Sequence, residues 1–367
     1  MGINVEYKNG ERNFPTFFKK ISGKNVSVVF DANTAPFAYD LIRKITKVVQ
    51  SVNQVFLDDK DLIPDEKACE RAENESRGAD YVLAVGSGTL NDICKSVSFK
   101  LGLPCGVLAT AASMDGYCSN VAALMRKGLK VTDSAHSPED VLIDLDIVCS
   151  APKIMTAAGF GDIIGKYTCL TDWKTANAVK GEPINQKVFS EMQDALNDVV
   201  SGFDALTRYS QKAVAYLMNA LITAGLVIAE HGNSRPASGS EHHISHFLEM
   251  DFARRGERIP LHGIKVALGT LCSIEIYNYI KDNKLQFNGC EKVYGYAEEL
   301  PKAEKVKAML EKMGCPVRFS EIGVRKETFL EAIEKAYTVR DRYTVLTLSH
   351  ELGIAEKLKP ILAEKYF

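Results

Sequence analysis

Short apolar runs and longer helical stretches alternate through the first part of the chain. Asn25-Val26-Ser27-Val28-Val29-Phe30 is an almost unbroken apolar run ending in Asp31, and residues 38–49 carry helical spacing. Gln54-Val55-Phe56-Leu57 forms a second strand-like run, followed by a charged helical stretch over 65–77. Asp80-Tyr81-Val82-Leu83-Ala84-Val85 is a third strand, stopped by Gly86. Residues 89–101 then read as a helix and 104–109 as a fourth strand. Short, continuous apolar strands separated by helices predict a parallel sheet covered on both faces. Residues 124–132 alternate around Lys127-Gly128, which predicts a β-hairpin. Val141-Leu142-Ile143-Asp144-Leu145 reads as a last strand.

The pattern changes after Pro152. Helical periodicity marks 189–206, 211–230, 264–280, 303–313, 326–337 and 354–363, with few strand-like runs between them. The expected fold is therefore an α/β, Rossmann-like domain with a parallel sheet over residues 1–152, then an all-α domain over 153–367. No internal repeat or low-complexity segment interrupts either part.

Composition narrows the function classes. The chain has 367 residues, 46% hydrophobic and 25% charged, enough for two ordinary domains. A formal net charge of -2 gives no global field toward nucleic acid or an anionic membrane, so neither is expected as a partner. No apolar run reaches the roughly 18 residues of a spanning helix, and no membrane insertion is expected. Nine cysteines at irregular spacings, with no Cys-x-x-Cys, read as reduced, buried thiols of a cytoplasmic protein. None has an evident base beside it.

Two constellations carry chemistry. In Val85-Gly86-Ser87-Gly88-Thr89-Leu90, two glycines separate a buried strand from a helix start. Glycine lets backbone approach a phosphate closely, and a helix N-terminus supplies unpaired N–H groups. An ordinary strand-to-helix turn has the same composition, so the motif alone leaves both readings open. Asp31, at the end of the first strong strand, stands where a carboxylate can meet ribose hydroxyls; capping the segment after Asn33 is the alternative. Thr110-Ala111-Ala112-Ser113 ends the fourth strand with small residues and hydroxyls.

The second constellation is histidine. Five of the seven histidines lie between His231 and His262. His242 and His246, at i and i+4, share one face of a helix, whereas His243 points about 100° away. Glu249 lies one turn beyond and can orient a ring. Asp162 lies far upstream among small residues, at the expected start of another helix, with Lys166 one turn on. A carboxylate and several imidazoles, without thiolates, suit an open divalent-metal site for zinc, nickel or iron. Separate, satisfied core histidines are the competing reading.

Gly86-Ser87-Gly88-Thr89…Asp92…Lys95, Thr110-x-x-Ser113-x-Asp115-Gly116, Gly161-Asp162, Gly239-Ser240-Glu241-His242 and His262-Gly263-x-x-Val266-Ala267 resemble, in this order, the superfamily of iron-containing alcohol dehydrogenase, glycerol dehydrogenase and dehydroquinate synthase. The stretches around Asp162 and from Ser234 to His242 are most similar to the sn-glycerol-1-phosphate dehydrogenases. The resemblance implies a dehydroquinate synthase-like fold. Asp162, His242 and His262 would hold the metal. His246 and Asp115 would contact substrate, with Asp162 also at the substrate site. Gly86, Ser87, Gly88, Thr89, Leu90, Thr110, Ser113 and Ser119 would bind NAD(H) or NADP(H), and Asp31, if it meets the ribose, would disfavour a 2′-phosphate.

The expected activity is interconversion of dihydroxyacetone phosphate and sn-glycerol 1-phosphate by hydride transfer. His246, Asp115 and Lys166 are the expected catalytic groups, with Arg235 and Lys166 as cations for the phosphate. A homo-oligomer is expected. An unphosphorylated polyol as substrate, a synthase using the cofactor transiently, and a binding protein without turnover are the alternatives.

Overall fold

The computed structural model describes residues 2–8, 13–59 and 61–367. Among the described residues there are eight strands: β1 (Asn4–Tyr7), β2 (Asn25–Asp31), β3 (Ser51–Leu57), β4 (Tyr81–Gly86), β5 (Cys105–Ala109), β6 (Val121–Arg126), β7 (Leu129–Ser134) and β8 (Asp140–Ile143). Six form one sheet in the order β1-β8-β5-β4-β2-β3, with every pairing parallel. β6 and β7 form an antiparallel hairpin closed at Arg126↔Leu129, around the expected turn. β2 and β4 are buried along almost their full length, which is why they read as continuous apolar runs. One face packs Val26, Val28 and Phe30 of β2 with Tyr81 and Leu83 of β4 against Phe17, Ile21, Leu41 and Ile45.

The chain order creates a switch point. From β2 the path moves outward to β3, then returns to the other side of β2 to lay down β4. Val29 pairs with Ala84, so β2 and β4 end side by side. Their carboxyl ends carry Asp31 and Gly86, the place in an open parallel sheet where ligands bind.

The chain divides into two compact units. One comprises Met1–Pro152 with Tyr209–Gly232, the other Lys153–Arg208 with Asn233–Phe367. The expected span of 153–367 as a single helical domain thus loses one piece, because the helix Gln211–His231 belongs with the sheet. There it packs against the helix Leu145–Ser150, and its Gly225 lies where a Cβ would meet the Cys118 backbone nitrogen at 2.8 Å. This helix is long and apolar enough to cross a membrane by composition, a feature the count of uninterrupted apolar residues passed over. In the structure 61% of its most apolar window is buried.

The second unit is helical throughout its described elements. Lys153–Ile164 and Lys166–Lys180 follow each other with a break at Gly165, and Ser240–Arg255 and His262–Asp282 cross near them. Asp162 lies in the last turn of its helix rather than at a helix start, and His262 is the first residue of its own. Lys153–Ile164 is buried on all sides from Thr156 to Ile164. A helix buried all round has no polar stripe, so its periodicity is invisible in the sequence.

Candidate metal centre and nucleotide turn

The metal centre begins with a close helix crossing. A Cβ on Gly161 would lie 2.5 Å from the Gly263 carbonyl oxygen, and one on Gly263 would overlap the Ala158 carbonyl. Only residues without a side chain let Lys153–Ile164 and His262–Asp282 approach this closely. That approach brings Asp162 and His262 together from positions 100 residues apart. His242 completes the group from the first turn of Ser240–Arg255. Asp162, His242 and His262 each offer a ligand atom, all within 4.8 Å of one another.

Carboxylates orient both imidazoles. His242 Nδ1 meets Glu241 Oε1 at 2.8 Å, which turns Nε2 toward Asp162 Oδ1 at 3.6 Å. His262 Nδ1 meets Glu249 Oε1 at 3.1 Å. Two imidazoles fixed at Nδ1, one carboxylate and no thiolate match the donor set and the bracing of an open divalent-metal site. His262 keeps 30% of its side chain exposed, which leaves an approach to the group. Glu249, expected to orient a ring, does so for His262. Glu241 was missed as the partner of His242, although it is the adjacent residue.

Charges beneath this group are densely paired. Lys166 and Asp162 are both fully buried, and Lys166 Nζ donates to Asp162 Oδ1 at 3.1 Å and to the Ala237 carbonyl at 3.0 Å. Burial raises the Asp162 pKa, but the Lys166 ammonium and the hydrogen bond from His242 outweigh it and hold the carboxyl below its ordinary value. For His242, burial is outweighed by Asp162 and Glu241, and its pKa is raised. His246 moves the other way: burial and the Arg340 charge push it well below the ordinary imidazole value. His246, Glu249 and His262 form a second group of ligand atoms within 4.8 Å. Lys265, also fully buried, donates to the Pro260 carbonyl and lies 3.3 Å from Glu249.

The two expected phosphate cations both have partners within the protein. Lys166 is tied to Asp162 inside the core. Arg235 is 3% exposed; its Nε and Nη2 grip both oxygens of Glu182 at 2.8 and 3.2 Å, and Nη2 also meets the Asp172 and Tyr343 carbonyls. Its charge is matched by Glu182, so Arg235 ties segments together. Beside it, Asp172 accepts from Ser240 N, Tyr277 Oη and Val345 N. Burial and the Glu241 charge push the Asp172 carboxyl up to about 6.

In the first unit, Ser87 and Gly88 open the helix Gly88–Leu101 directly after β4. Gly86 is required by packing: a Cβ there would lie 2.8 Å from Leu90 Cβ. Ser87, Gly88 and Thr89 remain partly exposed at the helix N-terminus, with Leu90 buried behind them. Asp31 Oδ1 accepts from Thr34 N and Oγ1 at 2.9 and 3.0 Å, which organises the turn into the next helix. Thr110, Ser113 and Asp115 are buried in the loop after β5.

Ser119 donates to the Gly116 and Val121 carbonyls and accepts from Lys95. Lys95, one helical turn after Asp92 in the same motif, has a structural role. Its buried ammonium holds the loop by reaching the Gly116 and Val121 carbonyls and Asp92.

Comparison with known proteins sets the class first. The sequence profile described as iron-containing alcohol dehydrogenase matches residues 7–152. A glycerol-1-phosphate dehydrogenase [NAD(P)+] of Bacillus licheniformis is 33% identical over 94% of this chain and 87% of its own length. One from Thermococcus kodakarensis is 32% identical over 77% and 72%. The chain belongs to this glycerol-1-phosphate dehydrogenase family. Among solved structures, a probable glycerol dehydrogenase from Sinorhizobium meliloti matches with a TM-score of 0.71 at 17% identity, covering 98% of this chain and 96% of that one. This likeness shows the fold.

Proposed function

We propose that the chain is an oxidoreductase that interconverts dihydroxyacetone phosphate and sn-glycerol 1-phosphate with a nicotinamide cofactor. The observation that carries the reading is the Asp162, His242 and His262 group, in a chain whose family is named for that activity. The first unit would bind the dinucleotide, with Gly86 to Leu90, Thr110, Ser113 and Ser119 around it and Asp31 near a ribose. The second unit would bind metal and substrate.

Asp162, His242 and His262 would hold a divalent metal, which when bound supplies Lewis-acid stabilisation of negative charge on the substrate oxygen. A nicotinamide cofactor, when bound, would supply or accept the hydride. Glu241 and Glu249 fix the two ring orientations. Lys166, expected as a catalytic group, donates to Asp162 and would hold that carboxylate in position. His246 would relay a proton to or from the substrate hydroxyl; burial and the Arg340 charge lower its pKa.

The test is nicotinamide absorbance with dihydroxyacetone phosphate and, separately, dihydroxyacetone, on protein reconstituted with zinc, nickel or iron. Oxidation of NADH or NADPH that prefers the phosphorylated ketone and stops with a chelator is expected. Equal or greater activity on dihydroxyacetone would replace this reading with a polyol dehydrogenase.

A further inference from the structure

The helix Lys166–Lys180 meets the start of the His242 helix in a series of polar contacts. Cys169 Sγ lies 3.3 Å from the Pro236 carbonyl oxygen, and Lys166 Nζ donates to the Ala237 carbonyl at 3.0 Å. Asp172 Oδ2 then accepts from Ser240 N at 2.6 Å, and Thr168 Oγ1 donates to Glu241 Oε2 at 2.7 Å. Gly239 permits the approach: a Cβ there would lie 2.5 Å from Asp172 Oδ2 and 2.7 Å from Cys169 Cα. Thr168 and Asp172 are both fully buried and stand one turn apart on one face of their helix.

These contacts fix the ligand-bearing segment from outside itself. Glu241 Oε1 accepts from Gly239 N at 2.6 Å and meets His242 Nδ1 at 2.8 Å. Both partners belong to the same short segment as Glu241 and move with it. Thr168 belongs to another helix, which begins just after the one that ends in Asp162 and Ile164. Its hydroxyl therefore ties the carboxylate that turns the His242 ring to the stretch that carries Asp162. A hydroxyl has one hydrogen to donate, and the Gly165 carbonyl also lies within reach at 3.1 Å. The Glu241 oxygen is nearer and charged, so it takes the hydrogen. Asp172 holds the adjacent backbone. Its donors, Ser240 N, Tyr277 Oη and Val345 N, come from three different helices. It also sets a carboxylate at the N-terminus of the His242 helix, where the helix dipole favours one.

We propose that Thr168 and Asp172 are positioning residues for the metal centre. Through Glu241 and Ser240 they set the His242 ring against Asp162, and so decide how tightly a divalent metal is held, without touching metal or substrate. Their role rests on the metal reading of the Asp162, His242 and His262 group.

The experiment measures zinc affinity of the full chain by competition with a chromophoric chelator, and the melting temperature of the metal-free protein. Thr168→Val keeps the side-chain shape and removes the hydroxyl. A fall in affinity of roughly 10-fold is expected, the lower end for losing a partner around a metal ligand. Thr168→Ser keeps the hydroxyl and should retain most of the affinity. Asp172→Asn puts a donor where Asp172 accepts, and should lower affinity by a similar factor. Thr171→Val is the control, since that hydroxyl donates to the Tyr167 carbonyl of its own helix; its zinc affinity should match wild type.

A merely structural role gives another pattern. Affinity would then fall only as the melting temperature falls, in Thr171→Val as in Thr168→Val, with no rescue by serine, and that result would overturn the proposal. Unchanged zinc affinity in Thr168→Val or Asp172→Asn would strike that residue from the role while leaving the ligands in place. If Thr168→Val does not fold, Asp172→Asn carries the test. A wild type that binds no zinc would remove the metal reading and this role with it, which is a separate outcome.

Discussion

The end of the parallel sheet and the histidine group are built from different materials. At the sheet, the candidate nucleotide site is mostly backbone: a strand, two glycines and the partly exposed first turn of a helix. In the helical unit it is side chains, with Asp162, Lys166, Glu241 and Lys265 all fully buried and each held by named partners. A backbone site tolerates changes of side chain but not of backbone course. A site of buried charges depends on every partner, because an orphaned charge in the interior is expensive. Both nonetheless need glycine where main chains or helices press together.

The largest expected effect tests that shared need on the side-chain site. Gly263→Ala should destabilise the protein by about 3 kcal/mol or more, or prevent folding, because the neighbour is backbone and cannot turn aside. Denaturant unfolding followed by circular dichroism measures it. A midpoint close to wild type would mean the helices can separate without harm.

Next, His242→Ala should leave a folded protein that no longer retains metal, while His243→Ala keeps it; metal content by mass spectrometry decides. Full metal in the first variant would remove His242 from the ligand set. Glu249→Gln should weaken metal affinity by roughly 10- to 100-fold through the loosened His262 ring, as read by competition with a chromophoric chelator. Unchanged affinity would make Glu249 a bystander.

The smallest effect belongs to the backbone site. Gly86→Ala should cost about 1–3 kcal/mol, since part of the clash is with a side chain that can move. It should also raise the KM for the nicotinamide cofactor. A stability loss without that rise would make Gly86 purely a packing residue.

The same contrast explains what the sequence disclosed. β2, β4 and β5 were legible because burial on both faces forces unbroken apolar runs. β1, Asn-Val-Glu-Tyr at the sheet edge, carries no such run and was missed. The histidines stood out because they are few and clustered. The helix bearing Asp162 gave no stripe, so the residue was found by its glycine setting and misplaced within its helix. Arg235, expected as a phosphate cation, has a partner the sequence does not show, Glu182, 53 positions earlier.

The helix Gln211–His231 has a consequence for the order in which the protein is made. It belongs to the sheet-bearing unit, yet 56 residues of the other unit, 153–208, precede it in the chain. As the chain leaves the ribosome, the sheet can assemble early, but that unit lacks its last helix until about residue 232 has emerged. A gene fragment ending at Pro152 would therefore encode the whole sheet without the helix that covers Cys118, and should need a chaperone or aggregate where the full chain folds.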